Sequence, residues 1–210
     1  MKVTLKRWTA EPDLICGEAA ALCYNGKNPL KSLQVTMNGG HESVLEHVSF
    51  TFLIEDVSRV LLAQMTRHRL ASYSVQSQRY CGVDPMDVVI PQTIIDKRFA
   101  GSIKALLRHA DDVYKAMVME GVPEEDARYF TFQAGKTRKM VTMNARELRH
   151  FFSLRCCERA QWEIRQLADE MLRQCKEVAP ALFADAGPGC VRGKCPEGAK
   201  SCGKPRRKEG

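Results

Sequence analysis

Arg67-His68-Arg69, followed by Ser72, Ser74, Ser77 and Arg79, is the densest run of chemically capable side chains in this sequence. Guanidinium groups and hydroxyls at this spacing supply the donors that phosphate oxygens accept. A solvated basic cluster would use the same residue types; the place of His68 on an apolar stripe favours a site. A second set begins at Asn144-Ala145-Arg146, which has capping-box spacing to Glu147. The unpaired N–H groups of such a helix start suit an anionic ligand. Arg155 falls on the same helix face as Leu148 and Phe152. A charge there needs a partner, either a core carboxylate or a polar ligand. Arg128, taken alone, reads as a solvated helix-face charge.

Two stricter motifs fail. His41-Glu42 with His47 has the residue types of a zinc protease, but six residues turn a helix by about 240°, so the two imidazoles diverge. Gly135-Lys136-Thr137 has Phe130 where a P-loop needs its first glycine, and no G-x-G-x-x-G follows a strand. Any dinucleotide is therefore expected on a non-Rossmann architecture.

These residues must be positioned by one soluble domain. The 210 residues can bury a sizeable core, and hydrophobic residues at 44% with charged residues at 27% are ordinary globular values. No apolar run approaches the roughly 18 residues of a membrane span, and the N-terminus lacks a signal-peptide core, so a cytoplasmic place of action is expected. Between residues 187 and 210, seven Lys or Arg against two Glu hold +5 of the formal +7, which leaves +2 for residues 1–186. A nearly neutral body makes nucleic-acid binding there an unfavoured reading. Nine cysteines in a reducing compartment are expected as thiols.

Periodicity gives an α+β reading, with a small mixed or antiparallel sheet packed by long helices. Strands are expected at Val3 to Leu5, Val48 to Ile54, Val88 to Ile90 and Lys139 to Thr142, and a helix from Leu14 to Tyr24. From Val57 a helical stripe of Val57, Leu61, Gln64 and His68 should face the interior. The segment after Arg69 reads as an ordered loop rich in hydroxyls. Phe99, Ile103, Leu106, Leu107, Ala110, Val113, Tyr114 and Met117 mark an amphipathic helix, and Pro123 starts another. The helix opened at Asn144 is expected to run to about Val178. Gly187-Pro188-Gly189 closes the domain at residue 186, and residues 187–210 read as a flexible, basic, cysteine-rich tail.

Arg67-His68-Arg69 with Ser77 resembles the signature of flavin-dependent thymidylate synthases. Similar family positions appear in His41-Glu-Ser-Val-Leu-Glu-His47, in Gln64, in Asn144-Ala145-Arg146, and in Leu154-Arg155 followed by Ala160-Gln161-Trp162-Glu163. The resemblance spans residues 1–186 in the right order. It implies methylation of dUMP to dTMP with FAD, NADPH and 5,10-methylenetetrahydrofolate, by a homotetramer whose active sites lie between subunits. It further implies FAD contacts from His41, Ser43, Arg67, His68, Arg69, Asn144, Ala145, Arg146 and His150. For dUMP it implies Gln64, Arg67, Ser77, Gln78, Arg79, Arg128 and Arg155, with Arg155 as the catalytic arginine that favours ionised uracil. No metal is implied. Where the family loop often carries Glu or Gln, this chain has Val75, with Gln76 beside it as a substitute.

Two other readings stay open on the residues alone. Cys156 beside Arg155 offers a thiolate that would attack the pyrimidine ring, since a neighbouring cation favours that form. Cys190, Cys195 and Cys202 offer three soft ligands for a metal on a nucleic-acid-binding tail, although they lack the paired C-x-x-C of common zinc sites.

Overall fold

The computed structural model describes residues 1–206. Arg207, Lys208 and Glu209, counted above in the basic tail, lie outside the described residues. The fold is α+β, with an open four-stranded antiparallel sheet. Strands β1 (Lys2–Trp8), β2 (Ser49–Ser58), β3 (Ala71–Val75) and β4 (Lys136–Asn144) are ordered β1-β2-β4-β3. The helices are α1 (Pro12–Tyr24), α2 (Pro29–Asn38), α3 (Arg59–Met65), α4 (Gln92–Asp96), α5 (Ala100–Met119), α6 (Glu124–Ala127), α7 (Ala145–Arg155), α8 (Trp162–Val178) and α9 (Pro180–Phe183). The chain forms two compact units. One comprises Met1–Lys2, Ile54–Met65 and Ser74–Lys139; the other comprises residues 3–53, 66–73 and 140 onward.

In the second unit the core follows from alternation on β2 and a helical stripe on α7. Phe50 and Phe52 are buried while Thr51 between them is not, so one pleat face is apolar. Phe50 and Phe152 both meet Phe183 edge-on, with centroids 5.4 and 5.9 Å away. Gln174 on α8 protects the backbone of β1: its Oε1 accepts from Leu5 N at 2.6 Å and its Nε2 donates to Val3 O at 2.9 Å. Helix α2, for which sequence reading named no element, is started by Asn28, whose Oδ1 accepts from Lys31 N, with Pro29 at the first turn. It packs on α1 at Gly17, where a Cβ would lie 2.7 Å from Pro29 O, so only glycine permits this approach.

Three expected boundaries are corrected. The helix expected from Val57 begins at Arg59, because β2 continues to Ser58 and Ser58 Oγ then accepts from Leu61 N at 3.0 Å. It ends at Met65, which leaves His68 outside any helix although it is buried. The hydroxyl segment expected as a loop contains β3; Ser72 and Ser74 are exposed while Ala71, Tyr73 and Val75 are partly covered, the two-residue alternation of a strand. The long helix expected from Asn144 to Val178 is two helices. Cys156 N closes α7 on Phe152 O, and Gln161 Oε1 opens α8 by accepting from Glu163 N and Ile164 N.

In the first unit α5 buries only Leu107 and Tyr114 among its residues, while Leu106 and Val113 of the expected stripe, and Phe99 just before it, are exposed. Val88 to Ile90 contributes a single bridge, Val88 to Gly135. Residues 187–206, expected as a flexible tail, carry short 3-10 turns at Gly189–Arg192 and Gly198–Lys200. Arg206 then bonds Asp169 on α8 at 2.6 and 3.0 Å and Glu158 at 3.2 Å.

Candidate active site

All nine residues implied for FAD fall in the second unit. Asn144 stands at the junction of β4 and α7 with extended backbone, and its Oδ1 accepts from Glu147 N at 2.8 Å. Ala145 N donates to Val48 O, so this helix start is tied to the chain preceding β2. Arg146 is exposed and pairs with Glu46 on the 3-10 turn Ser43–His47. His41 and Ser43 are exposed at the beginning of that turn, and Arg67, Arg69 and His150 are exposed as well. Ala145 is fully buried with its N–H committed to Val48 O, so the donors suited to a group that carries phosphates are the exposed ones of His41, Ser43, Arg67, Arg69, Arg146 and His150.

His68 is likewise buried, only 5% exposed. Its Nδ1 lies 3.0 Å from Glu147 Oε1, and Arg155 donates from Nε to its Nε2 at 3.1 Å. An imidazole that accepts at Nε2 must carry its proton on Nδ1, so the Glu147 carboxylate fixes the tautomer and Arg155 is held by the second nitrogen. Burial lowers the His68 pKa below its usual 6.5, and the Arg155 charge adds to this; the Glu147 hydrogen bond opposes it without reversing it. Tyr73 OH donates to His68 O at 2.9 Å, and the Phe151 ring meets the imidazole edge-on at 4.9 Å. The Arg155 pKa is lowered by burial and by the Arg67 charge.

The residues implied for dUMP divide between the units. Arg67 and Arg155 lie in the second; Gln64, Ser77, Gln78, Arg79 and Arg128 lie in the first. Within the first unit two arginines meet residue 125. Arg79 Nε donates to Glu125 Oε2 at 2.6 Å, and Arg128 Nε donates to Glu125 O at 3.0 Å. Ser77 Oγ accepts from Arg79 N at 3.1 Å, which fixes the approach of that arginine. Ser77 and Gln78 line a cavity of about 170 Å³ with Lys136, which is paired to Asp87. Gln64 on α3 is half-buried and its Nε2 donates to Val60 O at 3.4 Å.

Sequence reading missed Glu147, Glu125 and Arg149 as site residues. Glu147 was legible only as the third residue of a capping box, and its side chain is instead at His68. Glu125 was legible only as an acid in a helix's first turn. Buried Arg149 carried no motif; it donates to Leu182 O at 2.6 Å and Asp185 Oδ1 at 2.7 Å, holding α9 against α7. The two other readings gain little. Cys156 is fully buried, and burial, followed by the Asp169 charge, pushes its thiol pKa far up, away from the thiolate. Among the described residues no group of three His, Cys, Asp or Glu is placed to hold a metal ion.

A family model described as "Thymidylate synthase complementing protein" matches residues 4–181. A flavin-dependent thymidylate synthase of Geobacter sulfurreducens is 49% identical over 97% of this chain and 94% of its own length. One from Clostridium tetani is 44% identical over the same shares, and one from Pyrococcus furiosus is 42% identical over 94% and 90%. With similarity of this extent, and with the signature residues placed as described, the chain belongs to the flavin-dependent thymidylate synthase family.

Proposed function

We propose that this protein methylates dUMP to dTMP, with FAD as cofactor and NADPH and 5,10-methylenetetrahydrofolate as co-substrates. The observation that carries the site assignment is the buried chain Glu147–His68–Arg155, in which the carboxylate orients the imidazole and the imidazole holds the arginine. Arg155 is assigned to the uracil. Its positive charge next to the ring favours the ionised pyrimidine and so raises electron density at the carbon that receives the methylene group. Arg67 beside it, with Gln64, Ser77, Gln78, Arg79 and Arg128, is assigned to the rest of dUMP. The arginines are suited to its phosphate.

For FAD the assigned residues are His41, Ser43, Arg67, His68, Arg69, Asn144, Ala145, Arg146 and His150. The exposed donors among them match an anionic dinucleotide. When bound, FAD supplies the hydride that completes the methyl group. Val75 leaves the hydrogen bonding of its position to Gln76. A homotetramer with active sites between subunits and a cytoplasmic place of action belong to the same reading. Exposed Phe99, Leu106 and Met119 in and beside α5 offer apolar surface for assembly, and no helix of the described residues is long and apolar enough to cross a membrane.

The test is direct. The purified protein, reconstituted with FAD, should show a flavin absorbance spectrum, oxidise NADPH in a dUMP-dependent manner and release dTMP when the folate is added. A protein that takes up no flavin and makes no dTMP would overturn the assignment.

A further inference from the structure

Four of the nine cysteines line one cavity in the second unit: Cys157, Cys190, Cys195 and Cys202. The cavity measures about 660 Å³ and is walled by the end of α7, the turn between α7 and α8, and the segment from Pro188 to Arg206. Cys157 comes from that turn; the other three come from the segment, in the spacing C-x4-C-x6-C. No two of them are joined as a disulfide. Cys16, Cys156 and Cys175 behave as free cysteines usually do, fully buried as small apolar residues, whereas the four at the cavity are only partly covered. Core packing therefore does not account for their convergence.

The local backbone is repeated around them. Cys157 O accepts from Ala160 N at 2.9 Å, Cys190 O from Gly193 N at 3.5 Å and Cys195 O from Gly198 N at 3.3 Å, so three of the cysteines each open a turn. At the fourth the sulfur itself accepts: Lys204 N donates to Cys202 Sγ at 3.4 Å. Gly198 and Gly203 have φ of 52° and 71°, a region that side-chain-bearing residues rarely adopt, and nothing crowds the place of a Cβ at either. Turn conformation, not space, calls for glycine there. Turns of this kind aim backbone N–H groups into a concave, anion-holding spot, an arrangement that many iron–sulfur sites use. Arg159, Lys194 and Lys204 add positive charge to the same wall.

We propose that Cys157, Cys190, Cys195 and Cys202 hold an iron–sulfur cluster of the four-iron type, with one thiolate on each iron. A single zinc ion draws its sulfurs to about 2.3 Å from one point. Among the described residues no group of three or more His, Cys, Asp or Glu is placed to hold one ion. A cluster spreads its ligands over several irons, and so it suits cysteines set around a cavity. It enters as a preformed unit: each thiol gives up its proton and forms one S–Fe bond in place of a carrier's ligand, with no net transfer of electrons. The anionic cluster then lies among the cations of the wall and fastens the segment from Cys190 to Cys202 to the turn that follows α7. No step of dTMP formation passes through it, so its test is independent of that reaction.

The full-length protein is purified anaerobically and reconstituted with ferric iron, sulfide and excess dithiothreitol. Iron and acid-labile sulfide should each reach about four per chain. Reduction with dithionite should then give an EPR signal that relaxes faster than a flavin radical. Cys190→Ser/Cys195→Ser should lose iron, sulfide and signal, while Cys23→Ser/Cys81→Ser, changed at two exposed cysteines outside the cavity, keeps all three. Circular dichroism and bound FAD check that both variants fold, and the single variant Cys202→Ser reads the same loss if the first does not. One zinc per chain without sulfide overturns the proposal, as does iron that persists in the Cys190 and Cys195 variant. Air oxidation of the cluster should quicken tryptic cleavage after Lys194 and Lys200 by about tenfold or more; unchanged cleavage overturns the fastening.

Discussion

Glu147 and Arg155 stand eight residues apart on α7 and are joined through a residue from another segment, since His68 meets the first at Nδ1 and the second at Nε2. The path is short and largely dry, because Glu147 and His68 are 6% and 5% exposed. Inside such a site a fully satisfied hydrogen-bond chain fixes geometry, while a half-satisfied one is costly. Glu147 therefore bears on the orientation of Arg155 through the imidazole between them.

This makes Glu147 a positioning residue with a distinctive pattern of substitution. Glu147→Ala should lower dTMP formation by roughly ten- to a hundredfold, matching the roughly 1.5–3 kcal/mol of a hydrogen bond to a charged group. Glu147→Gln keeps an oxygen acceptor for Nδ1–H and should retain most of the rate. It nevertheless removes the charge that favours protonation, so the His68 titration, followed by NMR, should move below its parental position. A Glu147 that only supported packing would reduce the melting temperature and leave that titration where it was.

Arg79 and Glu125 give opposite expectations for one ion pair. Both are near half exposed, so the pair contributes little stability, on the order of 0–1 kcal/mol. The carboxylate nevertheless occupies an arginine assigned to dUMP. Arg79→Ala should raise the KM for dUMP by about tenfold or more, whereas Glu125→Gln should lower it by about two- to fivefold. Steady-state kinetics at fixed folate and NADPH reads both; dUMP kinetics unchanged in Arg79→Ala would remove that arginine from the site.

The elements with one strong period were legible in the sequence, and the interruptions were not. The alternation of Phe50, Phe52 and Ile54 marks β2, and Asn144 marks the start of α7. The break before α8 depends on Gln161 turning its side chain back to two backbone amides, which glutamine does without any periodic signal. β3 was hidden because Ser72 and Ser74, on its exposed side, look like loop residues. At the site, family-like spacing named His68 and Arg155, but the bond between them depends on tertiary placement of segments 87 residues apart. Glu147 and Glu125 were read as helix-start acids because that role is local and visible.

Arg149 carries a stability prediction with a defined pH dependence. Burial raises the pKa of Asp185, but the hydrogen bond and charge of Arg149 outweigh it and hold the value below the usual 3.8. A depressed carboxylate stabilises the fold above about pH 3.8, and the contribution is lost as pH falls through the lower folded value. His68 acts at higher pH. Its folded value lies below 6.5, so the unfolded chain binds that proton first and stability declines as pH drops from about 6.5. Arg149→Met strands Leu182 O and Asp185, and should cost about 2–3 kcal/mol in urea unfolding near pH 7. Its acid transition should lose the Asp185 component and keep that of His68. A cost below about 0.5 kcal/mol would show that Arg149 does not hold α9.

No cysteine is expected to act as the carbon nucleophile. A thiolate that adds to the pyrimidine must be ionised near neutral pH and must reach the ring. Cys156 meets neither condition: it is fully buried, and burial with the Asp169 charge favours its protonated form. Cys157 is partly exposed, but among the described residues its thiol has no hydrogen bond to a general base. The route proposed through Arg155 needs neither thiol, because ionisation of the uracil would raise electron density where a covalent adduct otherwise would. Cys156→Ala/Cys157→Ala should therefore lose some packing stability, about 1 kcal/mol for the buried sulfur. It should still make dTMP within roughly tenfold of the parent, far less than the loss that follows deletion of a covalent nucleophile. The measurement is dTMP per flavin-loaded site with every substrate saturating. A folded, flavin-loaded double variant that makes no dTMP, alongside an Arg155→Ala variant that does, would transfer the chemistry from the arginine to a thiol.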